Sequence, residues 1–150
     1  MRTSIILNFD LKEKYMSKKE FFREITNLLY KNNCIESEDE FLEELLYRES
    51  LGSTAIGNEF AIPHANYEKG ANIPCIIICK LKYPIKWDDK GKFFVKNIIL
   101  FANPKIDTNE KGLQLMASIC RTLANEEICI KMAQMKCSKE IANFIYEKIK

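Results

Sequence analysis

The only histidine in the chain, His64, is the side chain with the widest chemical scope. It lies in the sequence Ala61-Ile62-Pro63-His64-Ala65. A neutral imidazole has a nucleophilic ring nitrogen near neutral pH, so it can attack phosphorus without a separate base. A phosphorylated imidazole becomes a good leaving group once its ring is protonated. These properties suit a reversible phosphoryl carrier, although a lone histidine is also compatible with a structural or surface role.

The segment before this histidine has the composition of an anion-binding loop. Arg48 carries a planar fork of donors that matches phosphoryl oxygens. Ser53 and Thr54 add hydroxyl groups, while Gly52 and Gly57 permit unusual backbone dihedral angles. We predict that Arg48 is the catalytic partner of the histidine and that Ser53 and Thr54 support phosphate binding. A solvated helix end and an ordinary turn are the competing interpretations of these residues.

Two capping boxes predict the helices that precede this loop. Ser17–Glu20 and Ser37–Glu40 each pair a serine with a glutamate that can satisfy free amide groups at a helix start. Apolar residues then repeat at helical spacing after each box. Residues 51–58 break this periodicity and predict a shaped loop. From about Thr108 onwards, the pattern is again helical to the end of the chain.

Short apolar runs predict the strands of a sheet. These runs are residues 4–9, 60–62, 75–81 and 98–102. The run 75–81 (CIIICKL) is almost continuously apolar, which is typical of a strand covered on both faces. Residues 83–92 contain a proline, a glycine and many charges, and we predict a polar connection there. The order of elements predicts an α/β fold, a mixed β-sheet flanked by α-helices on both sides, in one domain spanning residues 1–150.

Composition excludes several classes of partner and site. The net charge of +2, from 23 basic and 21 acidic residues, gives no basis for binding nucleic acid. The longest apolar run, residues 73–79, is far shorter than the roughly 20 residues that span a bilayer. No signal-peptide pattern is evident, so we expect a cytoplasmic protein with free thiols and neither cofactor nor metal. Cys75 and Cys79 would face the same side of a strand, as buried small hydrophobes rather than as a metal or redox pair.

The segment around His64 resembles the active-site signature of a known family. This is the fructose/mannitol-type (type 2) enzyme IIA domain of the bacterial phosphoenolpyruvate-dependent sugar phosphotransferase system. The matching positions are Arg48-Glu49, Gly52-Ser53-Thr54, Ile56-Gly57 and Ala61-Ile62-Pro63-His64-Ala65. The resemblance extends over nearly all 150 residues and implies a mixed sheet with helices on both sides.

The resemblance also implies a reaction and its partners. The phosphocarrier HPr would donate a phosphoryl group to Nε2 of His64, and a cysteine of an enzyme IIB domain would then receive it. Arg48 would stabilise the phosphohistidine and the phosphoryl group in transfer. The sugar is bound by the membrane component enzyme IIC, so this chain would contact the membrane only indirectly.

One departure from the family pattern leaves other functions open. Many members have a second histidine before the leucine matched by Leu113, whereas this chain has Gly112. Galactitol-type members also lack it, so a carrier remains the first hypothesis. The second is a regulatory domain, as in sugar-responsive transcription regulators or the nitrogen-related branch, in which phosphorylation of His64 is a switch. The third, which Gly112 favours, is a binding module that has lost phosphotransfer.

Overall fold

The computed structural model describes residues 5–12, 16–65, 75–88, 93–102 and 110–149. Within these ranges the chain forms five strands and five helices. In chain order they are β1 (Ile5–Leu11), α1 (Lys18–Lys31), α2 (Glu38–Leu51), β2 (Ala55–Gly57), β3 (Phe60–Ala61), β4 (Cys75–Lys86), β5 (Phe94–Ala102), α3 (Glu110–Ala124), α4 (Glu126–Ala133) and α5 (Ser138–Ile149). None of these helices has the length and apolar character that crossing a membrane requires.

The five strands form one mixed sheet in the order β1-β4-β5-β3-β2. β1 is parallel to β4, and β3 is parallel to β5. β4 and β5 are antiparallel, as are β2 and β3. Because β3 and β5 run the same way side by side, the residues that follow them meet at one edge of the sheet.

The two central strands are buried on both faces, as the apolar run in β4 predicts. On β4 and β5, the residues that face α1 and α2 are Cys75, Ile77, Cys79, Leu81, Ile85, Val95, Ile98, Leu100 and Ala102. The residues that face α3, α4 and α5 are Ile76, Ile78, Ile99 and Phe101. The predicted α/β fold, with helices on both sides of a mixed sheet, is confirmed.

Both predicted serine N-caps form, and they set the start of each N-terminal helix. The Ser17 hydroxyl accepts from the Glu20 amide at 3.1 Å, and the Ser37 hydroxyl accepts from the Glu40 amide at 3.3 Å. The second helix, α2, runs from Glu38 to Leu51 and so ends at the predicted anion-binding loop.

The predicted polar connection over residues 83–92 is wrong for its first part. β4 continues to Lys86, although its register against β5 shifts between Lys80 and Ile85. Ile85 and Trp87 lie on the buried face, so the two-residue alternation of a strand persists through this polar stretch. Residues 89–92 lie outside the described part of the chain.

Four of the six cysteines are buried, and Cys120 and Cys137 are half-buried. Cys75 and Cys79 face the same side of β4, as predicted, and both are buried and free. A hydrogen bond to Cys34, together with burial, raises the pKa of the Cys75 thiol above its ordinary value. Burial also raises the pKa of the Cys120 and Cys129 thiols. These thiols therefore stay protonated at neutral pH, which disfavours nucleophilic or metal chemistry.

A side chain from β1 caps the last helix across the fold. The Asp10 carboxylate accepts from the Ser138 amide at 2.8 Å, at the first residue of α5. A carboxylate there satisfies a free amide and complements the helix dipole. We expect Asp10→Ala to lower the free energy of unfolding by about 1 kcal/mol in denaturant titrations. Asp10→Asn keeps the acceptor oxygen and should recover most of this loss; equal losses in both variants would contradict the capping role.

Candidate functional site

The sheet places His64 at the edge where β3 and β5 end. β3 covers Phe60–Ala61, and His64 then forms an isolated parallel bridge with Phe101 near the end of β5. The Phe101 amide donates to the Pro63 carbonyl at 3.1 Å. The prediction that His64 lies at a strand end is confirmed, whereas the directing effect of Pro63 stays a prediction.

Two hydrogen bonds assign the tautomer of the half-buried His64 ring. Nδ1 lies 3.1 Å from the Ile62 carbonyl oxygen, which can only accept, so Nδ1 carries the proton. Nε2 lies 3.3 Å from Nε of Arg48, which can only donate, so Nε2 holds the lone pair. Of the two ring nitrogens, only Nε2 could therefore act as a nucleophile, and it faces a guanidinium group.

Arg48 is held between the ring and the loop. It lies in the last turn of α2, and its Nη1 donates to the Gly52 carbonyl at 2.8 Å. Gly52, with a φ of 164°, has extended backbone. Gly57 uses the freedom that glycine permits, with a φ of +93°. A Cβ at Gly52 would meet no atom of the described residues within 4 Å.

The two hydroxyl groups that we predict to support phosphate binding differ in their exposure to solvent. Ser53 is exposed, and its hydroxyl accepts from the Ala55 amide at 3.1 Å. Thr54 is only 4% exposed, and its hydroxyl donates to the Glu49 carboxylate and accepts from the Trp87 indole N–H at 3.3 Å. Phosphate binding by these hydroxyls stays a prediction, and Thr54 would have to give up two buried partners to take part.

The predicted loop over residues 51–58 contains a short strand that its small residues did not indicate. β2 covers Ala55–Gly57 and pairs with β3 through a two-residue turn at Asn58 and Glu59. Both turn residues have positive φ, 53° and 65°, as the tight turns of β-hairpins require. The Glu59 carbonyl accepts from the backbone amide of Asn97 at 2.9 Å, which anchors the turn to β5.

A buried polar cluster lies behind the loop, and sequence reasoning did not identify it. We call Lys18, Glu49, Thr54 and Trp87 the Glu49 cluster. Lys18 Nζ lies 3.1 Å from Glu49 Oε2, and the Glu49 side chain is only 4% exposed. The same ammonium group lies 5.4 Å from the centroid of the Trp87 ring. These contacts join residues more than 30 positions apart, so no local pattern reports them, although the alternation through Ile85 could have identified Trp87 as buried.

A match to a known family model covers almost the whole chain. The family model described as "Phosphoenolpyruvate-dependent sugar phosphotransferase system, EIIA 2" matches residues 6–148. The chain belongs to this EIIA 2 family. The resemblance inferred from the segment 48–65 is confirmed, and the EIIA 2 family implies a phosphotransfer role.

Individual relatives of this EIIA 2 chain include transport and regulatory proteins. It is 27% identical over 139 residues to the PTS system 2-O-alpha-mannosyl-D-glycerate-specific EIIABC component of Escherichia coli, covering 92% of this chain but only 21% of that protein. It therefore spans about a fifth of the length of this relative. It is 29% identical over 131 residues to the nitrogen regulatory protein of Klebsiella oxytoca, covering 87% of this chain and 80% of that protein.

A solved structure shares the fold of this EIIA 2 chain. It is the complex of enzyme IIAMTL and phosphorylated enzyme IIBMTL from Escherichia coli, with a TM-score of 0.70 and 20% identity. The match covers 95% of this chain and 94% of that chain. In this structure, Gly112 lies in the first turn of α3.

Proposed function

We propose that residues 1–150 act as one enzyme IIA domain, a cytoplasmic phosphocarrier in sugar uptake. His64 takes a phosphoryl group from phospho-HPr and passes it to a cysteine of enzyme IIB. The observation that carries this proposal is the His64 ring, whose Nε2 lone pair lies 3.3 Å from Nε of Arg48. A nucleophile and a cation held together are what transfer of an anionic phosphoryl group requires.

The transfer step uses both ring nitrogens. The Nε2 lone pair forms a bond to phosphorus as the bond from phosphorus to its donor atom in HPr breaks, and the electrons of that bond return to the donor atom. Nδ1 keeps its proton, which it donates to the Ile62 carbonyl, so the new phosphohistidine carries a positive charge in the ring. Arg48 gives up its hydrogen bond to Nε2 and donates to the phosphoryl oxygens instead. In the second step, a cysteine thiolate of enzyme IIB attacks phosphorus. The bond between phosphorus and Nε2 breaks, its electrons return to Nε2, and the ring is neutral again.

Two of the similarities support enzyme IIB as the acceptor. The solved complex with the same fold joins a IIA protein to a phosphorylated IIB protein. The mannosyl-glycerate relative is named as an EIIABC component. Sugar would reach this system through the membrane component enzyme IIC, and the nearly balanced charge gives no basis for a nucleic-acid partner.

The direct test is stepwise transfer with purified partners. We expect incubation with phosphoenolpyruvate, enzyme I and HPr to add one acid-labile phosphoryl group, detected by intact mass. Enzyme IIB should then discharge it, whereas an enzyme IIB lacking its cysteine should leave it in place. If the native chain gains no phosphoryl group, the proposal is overturned.

A second candidate function is a phosphorylation switch without onward transfer. The 29% identity to a nitrogen regulatory protein favours it, as does Gly112 in place of a second histidine. In that case His64 gains the phosphoryl group from HPr, but no enzyme IIB from the same organism discharges it. The rate of discharge therefore separates the carrier from the switch.

A further inference from the structure

A continuous series of hydrogen bonds connects the buried Glu49 cluster to the ring of His64. Thr54 links the two ends of this series through its side chain and its backbone. Its hydroxyl donates to the Glu49 carboxylate, while its carbonyl accepts from the Ile62 amide at 3.0 Å. The Ile62 carbonyl in turn accepts from Nδ1–H of His64 at 3.1 Å. The Ile62 carbonyl fixes the His64 tautomer, and the buried Thr54 in turn holds the backbone of Ile62.

We propose that Glu49 and Thr54 are positioning residues that hold the His64 ring with its lone pair on Nε2. The hydrogen bonds of the described ring go to Arg48 and the Ile62 carbonyl, so Glu49 and Thr54 would act through the backbone of Ile62. Only the kinetic consequence rests on the proposed phosphocarrier function. The orientation and tautomer of the ring belong to the unphosphorylated protein and can be measured without any partner.

The buried carboxylate of Glu49 requires hydrogen-bond partners within the cluster. A carboxylate that is only 4% exposed requires donors on its oxygens, and here Lys18 bonds to Oε2 and Thr54 to Oε1. The Trp87 indole fixes the Thr54 hydroxyl from a second direction. Removing one member leaves another buried polar group without its partner, so the arrangement is held cooperatively.

The same cluster also fixes the turn that carries Arg48. Glu49 is the next residue of α2, and its carbonyl accepts from the Gly52 amide at 3.2 Å. Arg48 Nη1 bonds to the carbonyl of that same Gly52. One anchor therefore sets both the ring and the guanidinium group, which act together in transfer.

The first experiment reads the tautomer of His64 by long-range ¹H–¹⁵N NMR. Because the chain has one histidine, the spectrum contains one imidazole and needs no assignment by mutation. In the native protein we expect a protonated Nδ1 and a pyridine-type Nε2. Thr54→Val removes the hydroxyl at nearly constant volume and should convert this signature to a mixture of tautomers. Thr54→Ser restores the hydroxyl and should restore the native signature.

The second experiment measures the initial rate of phosphorylation by phospho-HPr. We expect Thr54→Val and Glu49→Gln to lower it roughly tenfold to a hundredfold, because a misplacement of about 1 Å can cost a hundredfold. Thr54→Ser should stay near the native rate. A matched control, Ile145→Val in the core on the opposite face, should lower stability while leaving both the rate and the NMR signature unchanged.

Trp87→Phe keeps the proposal testable if Thr54→Val does not fold. This variant keeps an aromatic ring in the core but removes the indole donor to Thr54, so a smaller change of the same kind is expected. The proposal is overturned if folded variants keep the native tautomer and rate. It is also overturned if Ile145→Val changes them equally. A shifted tautomer in a protein that never accepts a phosphoryl group would instead support the positioning role and contradict the phosphocarrier function.

Discussion

His64→Ala is expected to abolish phosphorylation by phospho-HPr, a loss of at least about a thousandfold, because removing a nucleophile leaves only background chemistry. The chain has no second imidazole, and its described thiols are largely buried. The intact mass after incubation with phosphoenolpyruvate, enzyme I and HPr should therefore equal that of the untreated variant. His64→Gln, which keeps an acceptor within reach of Arg48, should be equally inactive.

The control for this variant is its stability. His64 is half-buried, and its ring bonds only to the Ile62 carbonyl and Arg48 in the described structure. We expect the free energy of unfolding to change by no more than about 1 kcal/mol, as for other substitutions outside the core. A phosphoryl gain that survives in folded His64→Ala would move the acceptor elsewhere in the chain.

Local patterns predicted most of the fold because short-range physics determines those elements. Ser17 and Ser37 form the expected caps, since a capping box depends only on residues three positions apart. The apolar run 75–81 predicted a buried central strand, because such a strand is covered on both faces. The strand at Ala55–Gly57 was missed, since its small residues and short length resemble a loop.

The sequence predicted those residues of the site whose own side chains have a distinctive chemistry. His64 and Arg48 are unusual residues in an unusual segment, and the structure brings them within hydrogen-bond distance. The burial of Thr54 depends instead on Trp87, 33 residues further along the chain. Such a contact arises only once the sheet and α2 are packed together, so no pattern within the loop reports it.

Arg48→Ala is expected to slow phosphorylation of His64 roughly tenfold to a hundredfold, and two opposing effects set this size. The arginine occupies the Nε2 lone pair at 3.3 Å, so its removal frees the nucleophile from a bond worth about 1 kcal/mol. The same guanidinium would stabilise the charge of the phosphoryl group in transfer, and losing one such donor costs about 3–4 kcal/mol. The second effect is larger, so the rate falls.

Arg48→Lys separates the charge of this residue from its geometry. An ammonium group keeps the positive charge but cannot reach Gly52 and the phosphoryl oxygens with one planar fork. We expect a rate between those of the native protein and Arg48→Ala, measured as the initial rate of phosphoryl gain from phospho-HPr. If Arg48→Ala is instead faster than the native protein, the arginine acts mainly by occupying Nε2. The proposed exchange of Arg48 from the ring to the phosphoryl group would then be wrong.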